Sequence, residues 1–186
     1  NEAGGIRFIA SNSLMANCIV NDNASLEGAE ITSYSSNLMI INSALLSTNP
    51  QGWQNEGDAL SCFGNTEAVA INSILWANHV PDEYDYIFID SVSSIAISYS
   101  NIQGGWGGEG NIDVDPLFRD PNNGDFHLMS IACGDTLDSP CIDAGHPDIL
   151  DSLLDCSWGL GTIRSDMGAY GGGDSVTVGI DYEEIP

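Results

Sequence analysis

A short phrase that recurs along the first part of the chain limits what this sequence can fold into. Its clearest copy is EAVAINSILWAN at residues 67–78, which is apolar, bends at a central asparagine and is apolar again. Related copies are SLMANCIVNDN at 13–23, LMIINSALLSTN at 38–49 and a worn SIAISYSNIQ at 94–103. A period of roughly 20–50 residues is typical of solenoids, propellers and arrays.

The copies align position by position. Each copy has one bend residue, and these lie 25, 30 and 27 positions apart at Asn17, Asn42, Asn72 and Tyr99. Each copy is aliphatic three places after its bend, at Val20, Leu45, Leu75 and Ile102. A second apolar segment precedes each copy, with its centre at Phe8, Ile31, Leu60 or Phe88.

The segments between bends are short, rich in β-branched residues and often alternating, which favours strands over helices. If the copies stack in register, like residues lie above one another at roughly 4.8 Å. Aliphatic residues would then stack inside, and the asparagines could form amide ladders at the bends. The sequence therefore predicts an all-β parallel β-helix, a solenoid of about four coils over residues 1–111. The alternative is a β-sandwich with accidental similarity, against which four copies with one internal order argue.

The charge is strongly one-sided, with 27 acidic residues against three arginines and no lysine, a net charge of −24. Such a surface repels nucleic acid, acidic lipids and polyanionic glycans. It suits calcium, a salty environment or simple solubility. No apolar run reaches the length of roughly 18 residues that a membrane-spanning helix requires. We therefore expect neither a nucleic-acid partner nor membrane insertion.

Five cysteines divide into two groups. Cys18 and Cys62 fall within strand positions, where we expect buried thiols that act as small apolar side chains. Cys133, Cys141 and Cys156 cluster in the loop-rich end. One disulfide among these three is expected if the protein is exported, and the sequence does not choose the pair.

Four blocks in the last part of the chain carry a family resemblance. They are DPLF at 115–118, GDFHL at 124–128, SPCIDAG at 139–145 and RSDMGAY at 164–170. In this order they resemble the C-terminal closing region of secreted bacterial right-handed parallel β-helix proteins. In those proteins, varied anchoring or sorting signals follow the closing region. The likeness covers about a third of the chain.

The resemblance implies a right-handed solenoid and an extracellular or cell-surface location. It also implies that residues 112–173 form an irregular C-terminal cap, since an open solenoid end exposes apolar side chains and strand edges. Residues 174–186 resemble a linker to a missing anchoring domain, and a strand laid along the solenoid is the alternative. We expect the chain to be a fragment of a longer protein.

Two functions follow as expectations. The first is a structural or adhesive solenoid segment that displays loops and binds polysaccharide or self-associates. The second is a fragment of a polysaccharide-degrading enzyme, a glycoside hydrolase or lyase, whose active site lies mostly in more N-terminal coils. The lack of lysine favours the first. Clustered acids in a groove, with a buried carboxyl of raised pKa, would favour the second.

Candidate ligand-binding residues are Trp53 in the loop at 49–57, and Trp106 and Glu109 in the glycine-rich loop at 104–111. Aromatic side chains exposed beside a solenoid can stack on sugar rings. A flexible loop is the alternative for the glycine-rich segment, because glycines at this density allow unusual backbone angles.

The candidate cofactor is calcium. Asp120, Asn122 and Asp125 place oxygen ligands at alternate positions around a glycine turn, although the distal glutamate of an EF-hand is missing. A purely structural turn is the alternative. A second acidic set, Asp148, Asp151 and Asp155, has the spacing of one solvated face of a short helix.

Overall fold

Residues 5–23, 30–47, 59–77 and 86–172 are described by a computed structural model. The first three of these ranges and the start of the fourth contain four successive repeats of three short strands. The strands of the first two repeats are β1 (Ile6–Ile9), β2 (Asn12–Ala16), β3 (Ile19–Asn21), β4 (Ile31–Tyr34), β5 (Asn37–Ile41) and β6 (Ala44–Ser47). Those of the next two are β7 (Leu60–Phe63), β8 (Glu67–Ile71), β9 (Ile74–Ala77), β10 (Ile87–Ile89), β11 (Ser94–Ser98) and β12 (Asn101–Ile102).

The twelve strands form three parallel sheets, and each sheet takes one strand from every repeat. Sheet A has the order β1-β4-β7-β10, sheet B has β2-β5-β8-β11, and sheet C has β3-β6-β9-β12. The pairing is in register, so that Met15, Ile40, Ala70 and Ile97 lie in one row across sheet B. The predicted all-β chain with parallel strands stacked in register is confirmed.

The inner faces of the three sheets share one apolar core. The predicted aliphatic row of Val20, Leu45, Leu75 and Ile102 is buried there. The row proposed for the first strands is wrong at its two ends, because Ile6 and Ile87, not Phe8 and Phe88, pair in line with Ile31 and Leu60. Strands of three or four residues show too little alternation to fix their register.

Hydroxyl groups, not amides, connect the repeats at the predicted bends. The N–H of Cys18 donates to Ser43 Oγ at 3.3 Å, and the N–H of Ser43 donates to Ser73 Oγ at 3.3 Å. The N–H of Ser73 continues the series to Ser100 Oγ at 3.0 Å. The expected amide ladder fails at Asn42, whose buried amide has no hydrogen-bond partner among the described residues.

The bend residues adopt the left-handed backbone conformation, with φ of 51°, 43°, 52° and 47° at Asn17, Asn42, Asn72 and Tyr99. Asparagine tolerates this region better than other residues with a Cβ, which explains its recurrence. The predicted bend positions are therefore confirmed. Backbone geometry explains why asparagine occupies three of the four.

The rest of the described chain, residues 113–172, lies against the outer face of sheet C. It contains one antiparallel pair, β13 (Phe118–Asp120) with β14 (Asp125–Leu128), and two short 3-10 helices, Pro121–Asn123 and Ile131–Cys133, and is otherwise irregular. A second apolar core joins sheet C to this region; its buried members are Ala44, Leu46, Ile74, Phe118, Phe126, Leu128, Cys141, Leu160, Met167 and Ala169. We call residues 113–172 the C-terminal region. It covers the side of the stack that sheet C forms.

The C-terminal region is expected to cover the end of the stack. Part of that role belongs to residues 104–112, which precede it and which we call the closing loop. Ile102 N–H donates to Ile112 O and Ile112 N–H donates to Ser100 O, both at 2.9 Å. The closing loop thereby occupies backbone groups at the edge of the last repeat.

One disulfide forms, between Cys133 and Cys156. Cys141 remains a buried thiol, and Asn101 Nδ2 donates to its sulfur at 3.2 Å. Cys62 is fully buried as expected, whereas Cys18 is half-buried. None of the helices in the described ranges is long and apolar enough to cross a membrane.

Candidate ligand-binding site

The glycines of the closing loop permit a close approach to the last repeat. A Cβ at Gly110 (φ 69°) would overlap the ring of Tyr99, and one at Gly108 would overlap the carbonyl of Ile97. Asn111 fixes the loop from inside, because its Nδ2 donates to Ile97 O at 3.0 Å and its Oδ1 accepts from Ser100 N–H at 3.1 Å. The loop is therefore an ordered closure.

Trp106 lies in the closing loop and is half-buried, with its ring against the core of the stack. Much of its apolar surface is thus used to cover the last repeat. Its role in ligand binding stays a prediction, and the geometry gives it a structural role in addition.

Glu109 is exposed in the same loop. Tyr99 Oη donates to Glu109 Oε1 at 2.7 Å, and this hydrogen bond raises the pKa of Tyr99. The ring of His146 packs edge-on against Tyr99 at 4.7 Å between centroids. Glu109 thus belongs to a polar group at the outer bend of the last repeat. Trp53, the remaining predicted ligand-binding residue, lies outside the described residues.

The predicted calcium ligands lie in the turn between β13 and β14. Asp120 Oδ2 accepts from Asn123 Nδ2 at 2.8 Å, and Asp125 Oδ1 contacts His127 Nδ1 at 2.6 Å, while Asn122 is exposed. Within the described ranges no group of three or more His, Cys, Asp and Glu side chains is placed to hold a metal ion. The calcium site stays a prediction, and the two carboxylates stabilise a structural turn.

Three aromatic side chains from distant parts of the sequence meet on the C-terminal region. The rings of His127 and Tyr170 stack at 3.9 Å with 18° between their planes, and Trp158 contacts Tyr170 edge-on at 6.4 Å. Trp158 is 43% exposed. We call His127, Trp158 and Tyr170 the aromatic cluster.

A carboxylate orients the aromatic cluster. Partial burial acts to raise the pKa of Asp125, but the hydrogen bonds from the ring and backbone of His127 and the nearby Arg119 charge together lower that pKa. Burial raises the pKa of Tyr170, and the negative charge of Asp125 adds to this effect. His127 is thus held between an ionised carboxylate and the face of Tyr170.

The segment that carries Trp158 is anchored at Cys156, two residues before the tryptophan. Cys156 is tied to Cys133 by the disulfide, and its carbonyl accepts from Arg119 Nη1 at 3.2 Å. Arg119 is in turn held by Asp135 at 2.9 Å. Because the segment is ordered before any ligand arrives, binding would cost less conformational entropy.

Exposed apolar side chains flank Trp158 in the same part of the chain. The segment folds back on itself, since Asp151 N–H donates to Ile163 O at 2.9 Å and Gly159 N–H donates to Leu153 O at 3.2 Å. Its exposed large side chains are Leu150, Leu153, Leu154, Trp158 and Ile163. These five exposed apolar side chains therefore belong to one short folded-back segment.

Two buried aspartates fasten the C-terminal region. Asp166 accepts from the N–H groups of Asp143 and Leu160, both at 2.7 Å, and Asp151 accepts from Gly172 N–H. Burial raises the pKa of Asp166 to about 7 and also raises that of Asp151. The helix predicted around Asp151 is wrong: this segment is irregular, and the carboxylate is needed inside to bind backbone N–H groups.

The sequence interpretation missed the aromatic cluster, because its members are separated by 31 and 12 residues and meet only through packing of the C-terminal region. The available signal was the position of His127 and Tyr170 inside two of the quoted blocks. No protein-family model, curated protein or solved structure matches this chain.

Proposed function

We propose that the protein is an exported structural or adhesive solenoid segment that binds neutral polysaccharide through the aromatic cluster. The observation that carries this proposal is the exposed Trp158 beside Tyr170 and His127, on a segment held by a disulfide. An indole ring offers an apolar face to the C–H groups of a sugar and an N–H to its hydroxyls.

The proposal includes the finer architecture. Sheets A, B and C would be the three walls of a right-handed parallel β-helix, with the serine and threonine hydroxyls at its corners. Support comes from the in-register rows and from one strand of each repeat in each sheet. A crystal structure would show the hand of the coil and its closure directly.

Export is supported by the Cys133–Cys156 disulfide, since such bonds persist in oxidising compartments. The choice of a neutral polymer is supported by the net charge of −24, which repels polyuronates and other polyanions.

The enzyme alternative finds less support in the described residues. Asp166 has the raised pKa that a general acid needs, but it is 1% exposed and backbone N–H groups occupy both of its oxygens. A substrate cannot reach this carboxyl, and its raised pKa is a consequence of its burial inside the C-terminal region.

The test is depletion of the protein from solution by insoluble polysaccharides. Neutral polymers should retain the wild type, and Trp158→Ala should reduce retention by about tenfold, which corresponds to about 1.4 kcal/mol. Val92→Ala serves as the control, because Val92 is an apolar side chain, 60% exposed, in the turn between β10 and β11 and away from the aromatic cluster. Equal retention of wild type and Trp158→Ala would remove the aromatic cluster from the site.

A further inference from the structure

The bend of the fourth repeat carries a tyrosine where the other three repeats carry asparagine. Tyr99 has a φ of 47°, in the left-handed region that bulky residues seldom adopt. Residues held in such sparsely populated conformations concentrate at binding and active sites. Packing against Gly110 in the closing loop uses only the ring of Tyr99, so it does not explain the hydroxyl group.

Hydrogen-bonding atoms without a protein partner lie around this hydroxyl group. Tyr99 Oη donates to Glu109 Oε1 at 2.7 Å, while Glu109 Oε2 has no partner among the described residues. The ring of His146 contacts Tyr99, and its Nδ1 accepts from Asp148 N–H at 3.2 Å. In the neutral ring the proton then lies on Nε2, a donor that no other described residue binds.

Arg164 brings a cation to the same group. Its Nε donates to the carbonyl of Gly145 at 2.8 Å, directly before His146 in the chain. The hydrogen bond to Glu109 raises the pKa of Tyr99, and the charge of Arg164 opposes that rise. The guanidinium group therefore lies near the tyrosine.

No carboxylate neutralises Arg164 within the described ranges, although the chain contains 27 acidic residues. Arg119, by contrast, is held by Asp135 at 2.9 Å. The Nη1 and Nη2 atoms of Arg164 also have no hydrogen-bond partner in the described part of the chain. These donors remain available to a ligand.

The mixture of donors and acceptors fits hydroxyl groups. Arg164 and His146 supply donors and Glu109 supplies an acceptor, and a hydroxyl group takes both roles. An anion would be repelled by Glu109, Asp148 and the net charge of −24, whereas a cation would be repelled by Arg164. Neighbouring hydroxyl groups on a neutral sugar meet neither obstacle.

The folded-back segment that carries Trp158 also carries Arg164, which pairs with Leu150 in an antiparallel bridge. Trp158 and Arg164 are six positions apart, so their Cα atoms are separated by at most about 22 Å. One polymer chain can contact both residues, and the first contact then raises the effective concentration for the second.

We propose that this polar group is a second polysaccharide subsite, which hydrogen-bonds the hydroxyl groups of the neutral polymer that stacks on the aromatic cluster. Its members are Tyr99, Glu109, His146 and Arg164. The inference rests on the proposed function and deepens it by adding a hydrogen-bonding subsite to the stacking one. Tyr99 orients the carboxylate of Glu109, and Arg164 and His146 donate to the sugar.

The test is retention of the full chain by three insoluble neutral polysaccharides: cellulose, chitin and curdlan. On the polymer that retains the wild type best, Arg164→Gln should reduce retention by about tenfold, as expected for lost hydrogen bonds from a charged group. Arg7→Gln is the matched control. It makes the same change of charge at an exposed residue of β1, where Arg7 lies over the ring of Tyr34. It should leave retention unchanged.

Circular dichroism checks that each variant is folded. If Arg164→Gln is not, Tyr99→Phe replaces it, because it keeps the ring and removes only the hydroxyl group. Retention equal to that of the wild type in the folded variant, or an equal loss in Arg7→Gln, would overturn the subsite. If Trp158→Ala still lowers retention in that case, the proposed function stands. A wild type that none of the three polymers retains would refute both proposals.

Discussion

Asn72 Nδ2 donates a hydrogen bond to Ser165 Oγ at 3.1 Å, and 93 residues of sequence separate the two. Both residues are fully buried, and Asn72 Oδ1 also accepts from His146 N–H at 2.5 Å. Asparagine recurs at the bends because it tolerates the left-handed backbone conformation. At Asn72 its side chain also anchors the C-terminal region to the third repeat.

Removing this anchor should destabilise the protein. Asn72→Ala loses two buried hydrogen bonds and places alanine at φ 52°, so the free energy of unfolding should fall by about 2–4 kcal/mol. Ser165→Ala keeps the bend but removes a hydroxyl that also donates to the Asp166 carbonyl, so it should lower the free energy of unfolding by about 1–3 kcal/mol. Urea denaturation measures both, and an Asn72→Ala variant within about 0.5 kcal/mol of wild type would contradict the anchoring role.

Gly110 should be irreplaceable in the closing loop. Gly110→Ala puts a Cβ into the Tyr99 ring at a left-handed φ of 69°, and it should cost about 2 kcal/mol or more. Gly107 is the matched control, because a Cβ there meets nothing within 4 Å. Thermal unfolding should show a clear loss for Gly110→Ala and almost none for Gly107→Ala. Equal effects would mean that the loop does not pack on the last repeat.

Reduction of the Cys133–Cys156 disulfide should loosen the C-terminal region. The bond closes a loop of 23 residues, for which chain entropy gives about 3 kcal/mol. The Cys133→Ser/Cys156→Ser double variant should melt at a lower temperature than the oxidised wild type and match the reduced wild type. A melting temperature unaffected by reductant would show that the bond contributes nothing to stability.

Acidification should stabilise the protein between about pH 4 and pH 7. The pKa of Asp166 is about 7 in the folded chain and about 3.9 in an unfolded one, so in this range the folded state binds more protons. The free energy of unfolding therefore rises as the pH falls, by roughly 2 kcal/mol from pH 7.5 to pH 5. Asp151, whose pKa burial also raises, and the nearby Asp143 face the same site.

Asp166→Asn separates this effect from the general charge of the chain. It should lower stability at every pH, since one backbone N–H loses its acceptor, and it should flatten the pH dependence. Urea midpoints at pH 5 and 7.5 report both quantities. An unchanged pH slope in the variant would assign the effect to other carboxyls.

The sequence predicts the features that the repeat determines, namely the stacking of the strands and the positions of the bends. In-register stacking puts equivalent residues in equivalent environments, so Asn17, Asn42 and Asn72 were sufficient to locate the bends. The C-terminal region was beyond such reasoning, because its contacts with sheet C are long-range. One signal existed: ILWA in β9 is apolar without alternation, as expected of a strand buried on both faces. The aromatic cluster had no local pattern, and its one signal was the position of His127 and Tyr170 inside two of the quoted blocks.

The most direct measurement combines retention and cleavage on one polymer. The protein is incubated with the neutral polysaccharide that retains it best, and bound protein and new reducing ends are both quantified. A structural, glycan-binding solenoid predicts retention that falls with Trp158→Ala and no reducing ends above background. Reducing ends that accumulate with time and protein concentration would contradict it and identify an enzyme.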